Sequence, residues 1–389
     1  MSRGNPYEGV RIVGAGQSLY EKRSTKPVQR VMWEALDAAL RSAQLPHRSV
    51  QGLALTCFTL PPDNVTTIAE HFGIEARFLF QGLYGGASGV IGMLHAARAI
   101  RDGDADVVAV LAADVFDVAA HNEMLDHFNG SVRDYLAPYG FGGANGMFAL
   151  QTRAYMDAFG AVAEDFGRLP VAQRANAAGN PNALFRGTPM TMQDYLNARP
   201  IAEPLRLFDC VLPCTGGDCI ILASESVASG LDVPRVRILG GGEMHNFPAE
   251  DVYALRSGWE ALSPSMYRQA GLGPRDLDFA QLYDDYPVME FLQLEGLGIC
   301  ERGKTPRFLS EHGTCFDQAF PINTGGGQLS AGQAGASGGM IGVVEAVLQL
   351  RGEGGARQTK CRRGVVAGYG MVAYGRGLSS SACILEREE

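Results

Sequence analysis

Long apolar runs are missing from this 389-residue chain. Stretches such as Val107 to Ala113 fall far short of the about 20 residues a membrane-spanning helix needs. Met1 to Pro6 carry no apolar core of a signal peptide, so a soluble cytoplasmic protein is expected. Runs of lysine or arginine are also absent, and 33 basic against 42 acidic residues leave a net charge of −9. A protein that grips a nucleic-acid backbone needs a basic footprint, so that class is excluded. Eight cysteines in a chain of this length make no disulfide scaffold. Cys210, Cys214 and Cys219 lack zinc-ribbon spacing and have no histidine near them in sequence, so no metal site is expected. The seven histidines form no His-x-x-x-His pair, and no Gly-Lys-Ser/Thr loop is present. Gly335-Ala336-Ser337-Gly338-Gly339 matches the serine-hydrolase elbow, but that fold needs a histidine after the serine, and the last one here is His312.

What is abundant is glycine, 50 residues gathered in short clusters. That distribution suggests tight turns and close backbone approaches. Hydrophobic residues make up 46% and charged residues 19%, so the chain folds, and its length suggests two domain-sized units.

The sequence repeats itself. Val10-Arg11-Ile12-Val13-Gly14-Ala15-Gly16 returns 226 residues later as Val236-Arg237-Ile238-Leu239-Gly240-Gly241-Gly242. At the same offset, Leu53 to Phe58 face Phe279 to Asp284. Gly86-Ala87-Ser88-Gly89 returns as Gly335-Ala336-Ser337-Gly338. Each copy opens an apolar segment of helical period, stopped by Gly103 and Gly352, and each segment leads to a valine-rich run, Asp106–Leu111 and Gly364–Ala367. Valine-rich runs alternating with amphipathic segments imply strands buried on both faces, hence α/β layering. The chain divides into halves 1–232 and 233–389. The repeated Gly-Ala-Ser-Gly would let a helix N-terminus approach the partner half closely. The region from about Val115 to Arg206 has no counterpart in the second half. Its Tyr135, Tyr139, Phe141, Asn145 and Tyr155 read as an inserted cap over a site, or as a structural or dimer-contact excursion.

Gly86-Ala87-Ser88-Gly89, the stretch Asn323 to Gly332, Gly335 to Gly338, and Glu345-Ala346-Val347 with Leu350-Arg351-Gly352 together resemble the thiolase superfamily. Tyr283-Asp284-Asp285-Tyr286 followed by Gln293 to Gly298 is similar to its branch of sterol-carrier-protein-type thiolases and bacterial lipid-transfer proteins. The resemblance implies a five-layered α-β-α-β-α fold with a site where the halves meet. It also implies a dimer acting on acyl-coenzyme A in lipid metabolism.

The departures from that pattern define the chemistry. Gly86 stands where a thiolase has its nucleophilic cysteine, and glycine has nothing to acylate. Gln333 replaces the activating histidine, Asp285 the acid/base cysteine, Tyr283 a further histidine, and Gly368-Tyr369-Gly370 the C-terminal Cys-x-Gly. Phenols, carboxylates and amides suit proton transfer. The resemblance then points to an aldolase-type lyase that cleaves a carbon–carbon bond of a β-hydroxyacyl-coenzyme A, as in steroid side-chain degradation. In this reading Asp285 or Tyr283 moves the hydroxyl proton, which requires the aspartate's pKa to rise or the phenol's to fall. Gln333 and a backbone amide near Gly86 or Ala87 hold the enolate oxygen, and Tyr369 is a second proton carrier. Ser88, Tyr286, Asn323 and Gly332 complete the substrate-binding set. Structural readings stand beside these: core packing for Tyr283, Tyr286, Tyr369 and Tyr374, capping or an arginine pair for Asp284, loop anchoring for Asn323, and helix caps for Ser88 and Ser337. His121 and His127 lie in the insertion, where they read either as reaching the site or as surface and structural residues. Two further functions compete: a divergent acetyl-coenzyme A acetyltransferase using Cys57 or Cys315, and a non-catalytic acyl-coenzyme A-binding scaffold. Coenzyme A is expected as part of the substrate, with no covalently bound cofactor. A homodimer is expected, as is a small partner carrying an OB-fold and a zinc ribbon.

Overall fold

A computed structural model describes residues 4–140, 143–251, 255–373 and 376–388; Phe141 and Tyr374 lie outside them. The first elements are β1 (Val10–Gln17), α1 (Val28–Ala43), β2 (Gly52–Thr56), α2 (Val65–His71), β3 (Phe78–Gln81), α3 (Ser88–Arg101) and β4 (Val107–Asp114). Next come α4 (Val118–Asp126), α5 (Ala144–Phe159), α6 (Ala163–Ala177), α7 (Met192–Leu196), the hairpin β5 (Pro200–Ala202) and β6 (Leu205–Arg206), β7 (Gly216–Ser224) and α8 (Glu225–Ala228). The rest is β8 (Val236–His245), α9 (Trp259–Ala270), β9 (Phe279–Gln281), α10 (Pro287–Gly296), α11 (Thr305–His312), α12 (Gly327–Ala331), α13 (Gly338–Arg351), β10 (Arg363–Ala373) and β11 (Arg376–Arg387).

The main sheet runs β3-β2-β4-β7-β1-β8-β11-β10-β9. Its order mirrors about the seam between β1 and β8, which is only two residue pairs long, Arg11 with Arg237 and Ile12 with Val236. Outward from the seam, β1-β7-β4-β2 on one side matches β8-β11-β10-β9 on the other, antiparallel pairs facing antiparallel pairs and parallel facing parallel. The repeated segments are thus β1 and β8, β2 and β9, α3 and α13, β4 and β10.

Helices α3 and α13 touch strands of both wings, so the sheet folds around them as a central layer. Their shared core includes Val90, Met93, Leu94, Met340, Val343 and Val347. Helix α1 covers the outer face of the first wing and α9 that of the second, giving five layers, α-β-α-β-α. The helix starts approach as the repeated glycines require. A Cβ on Gly89 would lie 2.2 Å from the carbonyl oxygen of Gly339, which no real side chain tolerates. Two buried cations brace the centre. Arg351 donates to the carbonyls of Val13, Ser42 and Pro234, and Arg357 pairs with Glu345 at 2.7 Å with both side chains buried.

Candidate active site

A cleft opens where the wings meet. Its floor comes from the two repeated helix starts and from the segment after β9: Gly86, Gly335, Tyr283, Asp285, Tyr286 and Gln333. β10 adds Tyr369. Its far wall comes from the region without a counterpart, through His121, Met124, Leu125 and Phe128 around α4 and Met147 and Phe148 on α5. The inserted segment therefore lines the cleft.

Tyr283 and Gly86 share one volume. A Cβ built on Gly86 would lie 1.8 Å from Cε2 of Tyr283. The phenol ring fills the space that a nucleophilic side chain would need. Tyr283 is held by its backbone, its N–H donating to Gln293 Oε1 at 2.9 Å and its carbonyl accepting from Gln293 Nε2 at 2.7 Å. Burial, then Asp285 and Asp284, push its pKa well above the usual phenol value, against the amides of Gln333 and Gln328. The phenol therefore keeps its proton.

Asp285 has the opposite use for the same environment. Burial, and next the neighbouring Asp284, push its carboxyl well above the ordinary carboxylate range. Its Oδ1 accepts the backbone N–H of Tyr286 at 3.1 Å, and the carboxyl opens on the cleft. Of the two shifts that proton transfer near neutrality requires, the aspartate makes one, and the tyrosine moves the other way. Asp284 turns from the cleft and accepts from the backbone N–H groups of Gln328 at 2.9 Å and Leu329 at 3.2 Å, capping α12. Glu290 lies in the same buried region, and burial and Asp284 raise its pKa. Three carboxyls so placed cannot all ionise, and Asp284, with two backbone donors, holds charge best.

Gln333 is held by its backbone, which exchanges hydrogen bonds with Leu212 and Cys214, while its Oε1 is buried with no partner among the described residues. Tyr369 accepts the N–H of Gly377 at 2.5 Å and tilts against Trp259, so its hydroxyl oxygen is already engaged. Tyr286 donates to Asn145 Oδ1 at 2.7 Å and stacks on Phe148 with centroids 4.2 Å apart.

Four expected binding residues stand behind the wall. The N–H of Ala87 is spent on the carbonyl of Tyr84 at 3.2 Å. Ser88 accepts the N–H of Tyr84 at 2.8 Å and does not cap α3. Asn323 anchors its loop, accepting from Leu282 N–H at 2.8 Å and donating to Glu290 at 3.1 Å. Gly332 adopts φ 120° where a Cβ would meet Leu184 and Cys214. Ser337 is likewise no cap, because its hydroxyl is drawn to the buried Asp218 at 2.5 Å. Cys57 donates to Asp114 at 3.3 Å and Cys315 is half-buried; neither thiol lines the cleft, and burial raises both pKa values. His127 is exposed, whereas His121 faces inward. The apolar wall was readable only as spacing, since positions 121, 124, 125 and 128 fall on one helical face.

Residues 244–387 match the family model of the thiolase C-terminal domain-like group. The chain is 33% identical to the 17-hydroxy-3-oxo-4-pregnene-20-carboxyl-CoA lyase of Mycobacterium tuberculosis, over 96% of this chain and 98% of that one. It is 32% identical to the steroid side-chain-cleaving aldolase of Thermomonospora curvata, over 88% and 90%. The solved structure of an Ltp2-ChsH2(DUF35) aldolase superposes with a TM-score of 0.85 at 30% identity, covering 97% of this chain and 98% of that one. The chain belongs to the thiolase superfamily, within the aldolase-like branch that these relatives represent.

Proposed function

We propose that this protein is a carbon–carbon lyase that cleaves a β-hydroxyacyl-coenzyme A thioester by a retro-aldol step, with a steroid as the acyl body. The observation that carries this reading is the ring of Tyr283 standing in the space of the missing nucleophile, beside Asp285 and Gln333 on one cleft. The steroid side-chain-cleaving relatives support it independently. Asp285 takes the proton of the β-hydroxyl. The O–H electron pair forms the new carbonyl as the bond between Cα and Cβ breaks. The pair left on Cα spreads into the thioester as an enolate. The side-chain amide of Gln333 and the N–H of Gly86 donate to its oxygen; a single donor of this kind is worth about 2.7–4 kcal/mol of barrier. Tyr283, protonated by its surroundings, returns a proton to Cα and is recharged from Asp285. Tyr369, whose hydroxyl is engaged by the N–H of Gly377, lines the cleft beside these groups and is left out of the proton relay. The step balances with no oxidant, and coenzyme A enters only as part of the substrate.

The similar Ltp2-ChsH2(DUF35) aldolase joins two different proteins. That supports a complex here with a small OB-fold and zinc-ribbon protein. Strand β3 ends the sheet beside the exposed Leu83, which supports pairing with a second copy. No helix among the described residues is long and apolar enough to cross a membrane, and we place the protein in the cytoplasm.

A panel of coenzyme A thioesters tests the reading, with and without the co-expressed partner. Release of a ketone plus a shorter acyl-coenzyme A from a β-hydroxy thioester, with no free coenzyme A consumed, is the expected result. Coenzyme A-dependent cleavage of a β-ketoacyl thioester would overturn it in favour of a surviving thiolase reaction.

A further inference from the structure

Helix α4 is started by Asp117, whose side chain accepts the N–H of Ala120 at 3.0 Å. Past that cap the helix has two unlike faces. Ala119, Ala120, Asn122, Glu123 and Asp126 are exposed. His121, Met124, Leu125 and, one turn on, Phe128 line the cleft. His121 is therefore the one polar side chain on an apolar wall. It is 6% exposed, and its ring meets Phe116 edge-on at 5.5 Å. Its ring nitrogens have no hydrogen-bond partner among the described residues. An imidazole so enclosed, with no protein partner, leaves its ring nitrogens to bond whatever enters the cleft.

His121 also stands apart from the proton-transfer groups. The charge of Asp285 is felt by Tyr283, Tyr286, Tyr369 and Cys210. It is not felt at His121, whose pKa is lowered to about 4 by burial alone. The imidazole is neutral at physiological pH, with one nitrogen to donate and one to accept. It suits a neutral oxygen rather than a phosphate or carboxylate.

We propose that His121 reads an oxygen substituent, keto or hydroxyl, on the ring body of the acyl group, at a point distinct from the β-hydroxyl that reacts. The assignment rests on the lyase reading for the identity of the substrate. His121 is thus a specificity residue, and Met124, Leu125 and Phe128 supply the apolar surface that holds the rings around that oxygen.

The test uses the full-length protein, with its partner if one is required, and two probes. One is the coenzyme A thioester of a steroid side-chain acid bearing a ring keto group, and the other is its ring-deoxygenated counterpart. Equilibrium binding is measured beside turnover. Wild-type protein should bind the oxygenated probe at least about 10-fold more tightly, the usual consequence of a buried polar group left unpaired. His121→Phe should lose that preference by weakening the oxygenated probe alone, and His121→Gln should retain part of it. No preference in the wild type would overturn the proposal. So would equal loss of both probes in His121→Phe, which would mark a packing role. Binding preference without any turnover would sink the lyase reading and leave His121 in place, so the two failures are distinguishable.

Discussion

Gly86 and Tyr283 form a reciprocal pair, since each is possible only because of the other. Gly86→Ala should therefore cost about 1–3 kcal/mol by overpacking, read as a fall in the denaturation midpoint, and should abolish cleavage by displacing the phenol. A stable, fully active Gly86→Ala would refute the shared-volume argument. Asp285→Asn removes the carboxyl that moves the proton and should slow cleavage by about 100- to 10,000-fold. Tyr283→Phe should slow it through the loss of its donor. If both variants keep full activity, the role assignment is wrong. Because Asp285 is held well above the ordinary carboxylate range and acts in its ionised form, kcat should climb with pH through that raised value. A pH–rate profile already flat from about pH 5 upward would contradict this use of Asp285.

The elements were legible to different degrees, for physical reasons. Strands β1 and β8 were readable because both carry the same Val-Arg-Ile run into glycines. Helices α3 and α13 were readable because their apolar spacing ends on glycines at 103 and 352, and Gly352 does take φ 78° as the stop of α13. The five-residue α12 was not readable as a helix, because its support comes from outside. Asp284, more than forty residues earlier, supplies the acceptors for its first N–H groups. The inward face of α4 was present as spacing but hidden among polar neighbours. The motif residue Glu345 acquired its meaning only with Arg357 folded against it. Glu345→Gln leaves that guanidinium buried without its counter-charge and should cost about 3–5 kcal/mol, measured by urea unfolding. A loss below about 1 kcal/mol would show that the pair is dispensable.

At the scale of the molecule, the sequence carried the doubled α/β architecture, while the cleft depended on contacts between residues hundreds of positions apart. Glycine at position 86 was visible as a missing nucleophile, but the tyrosine that fills its place was visible only in three dimensions. The same burial sets the stability profile. Asp114 and Asp218 are raised to about 6 and Asp284 to about 7, in each case chiefly by desolvation. A carboxyl whose folded pKa exceeds its unfolded value of about 3.9 favours folding below that value, and the contribution is lost as pH rises through the folded pKa. For Asp218 the change amounts to about 3 kcal/mol. The melting temperature should accordingly be higher at about pH 5 than at about pH 8, and Asp218→Asn should flatten the slope. Buried His121, lowered to about 4, opposes this slope below the ordinary imidazole value of about 6.5, while Glu34 and Glu386, lowered by their lysine and arginine partners, oppose it only at more acid pH. A profile that rises from pH 5 to pH 8 would contradict the burial of these acids.

The mirrored sheet has a consequence for how such a site can change over time. Leu53 pairs with Ala109 and Phe279 with Gly364, so five residues further along each strand Asp114 and Tyr369 stand at matched positions. By the same symmetry Gly335 matches Gly86, and both border the cleft. A Cβ on Gly335 would meet Asp114, as one on Gly86 meets Tyr283. The cleft is thus an internal heterodimer lying on its own pseudo-axis. One copy of each loop moves protons and the other, with Phe58, shapes the walls. Apart from Gly86, which takes part in the chemistry, mutations in the first copy can retune which molecule is accepted without disturbing the proton carriers of the second, so the duplication leaves much of ligand choice free to evolve separately from catalytic power.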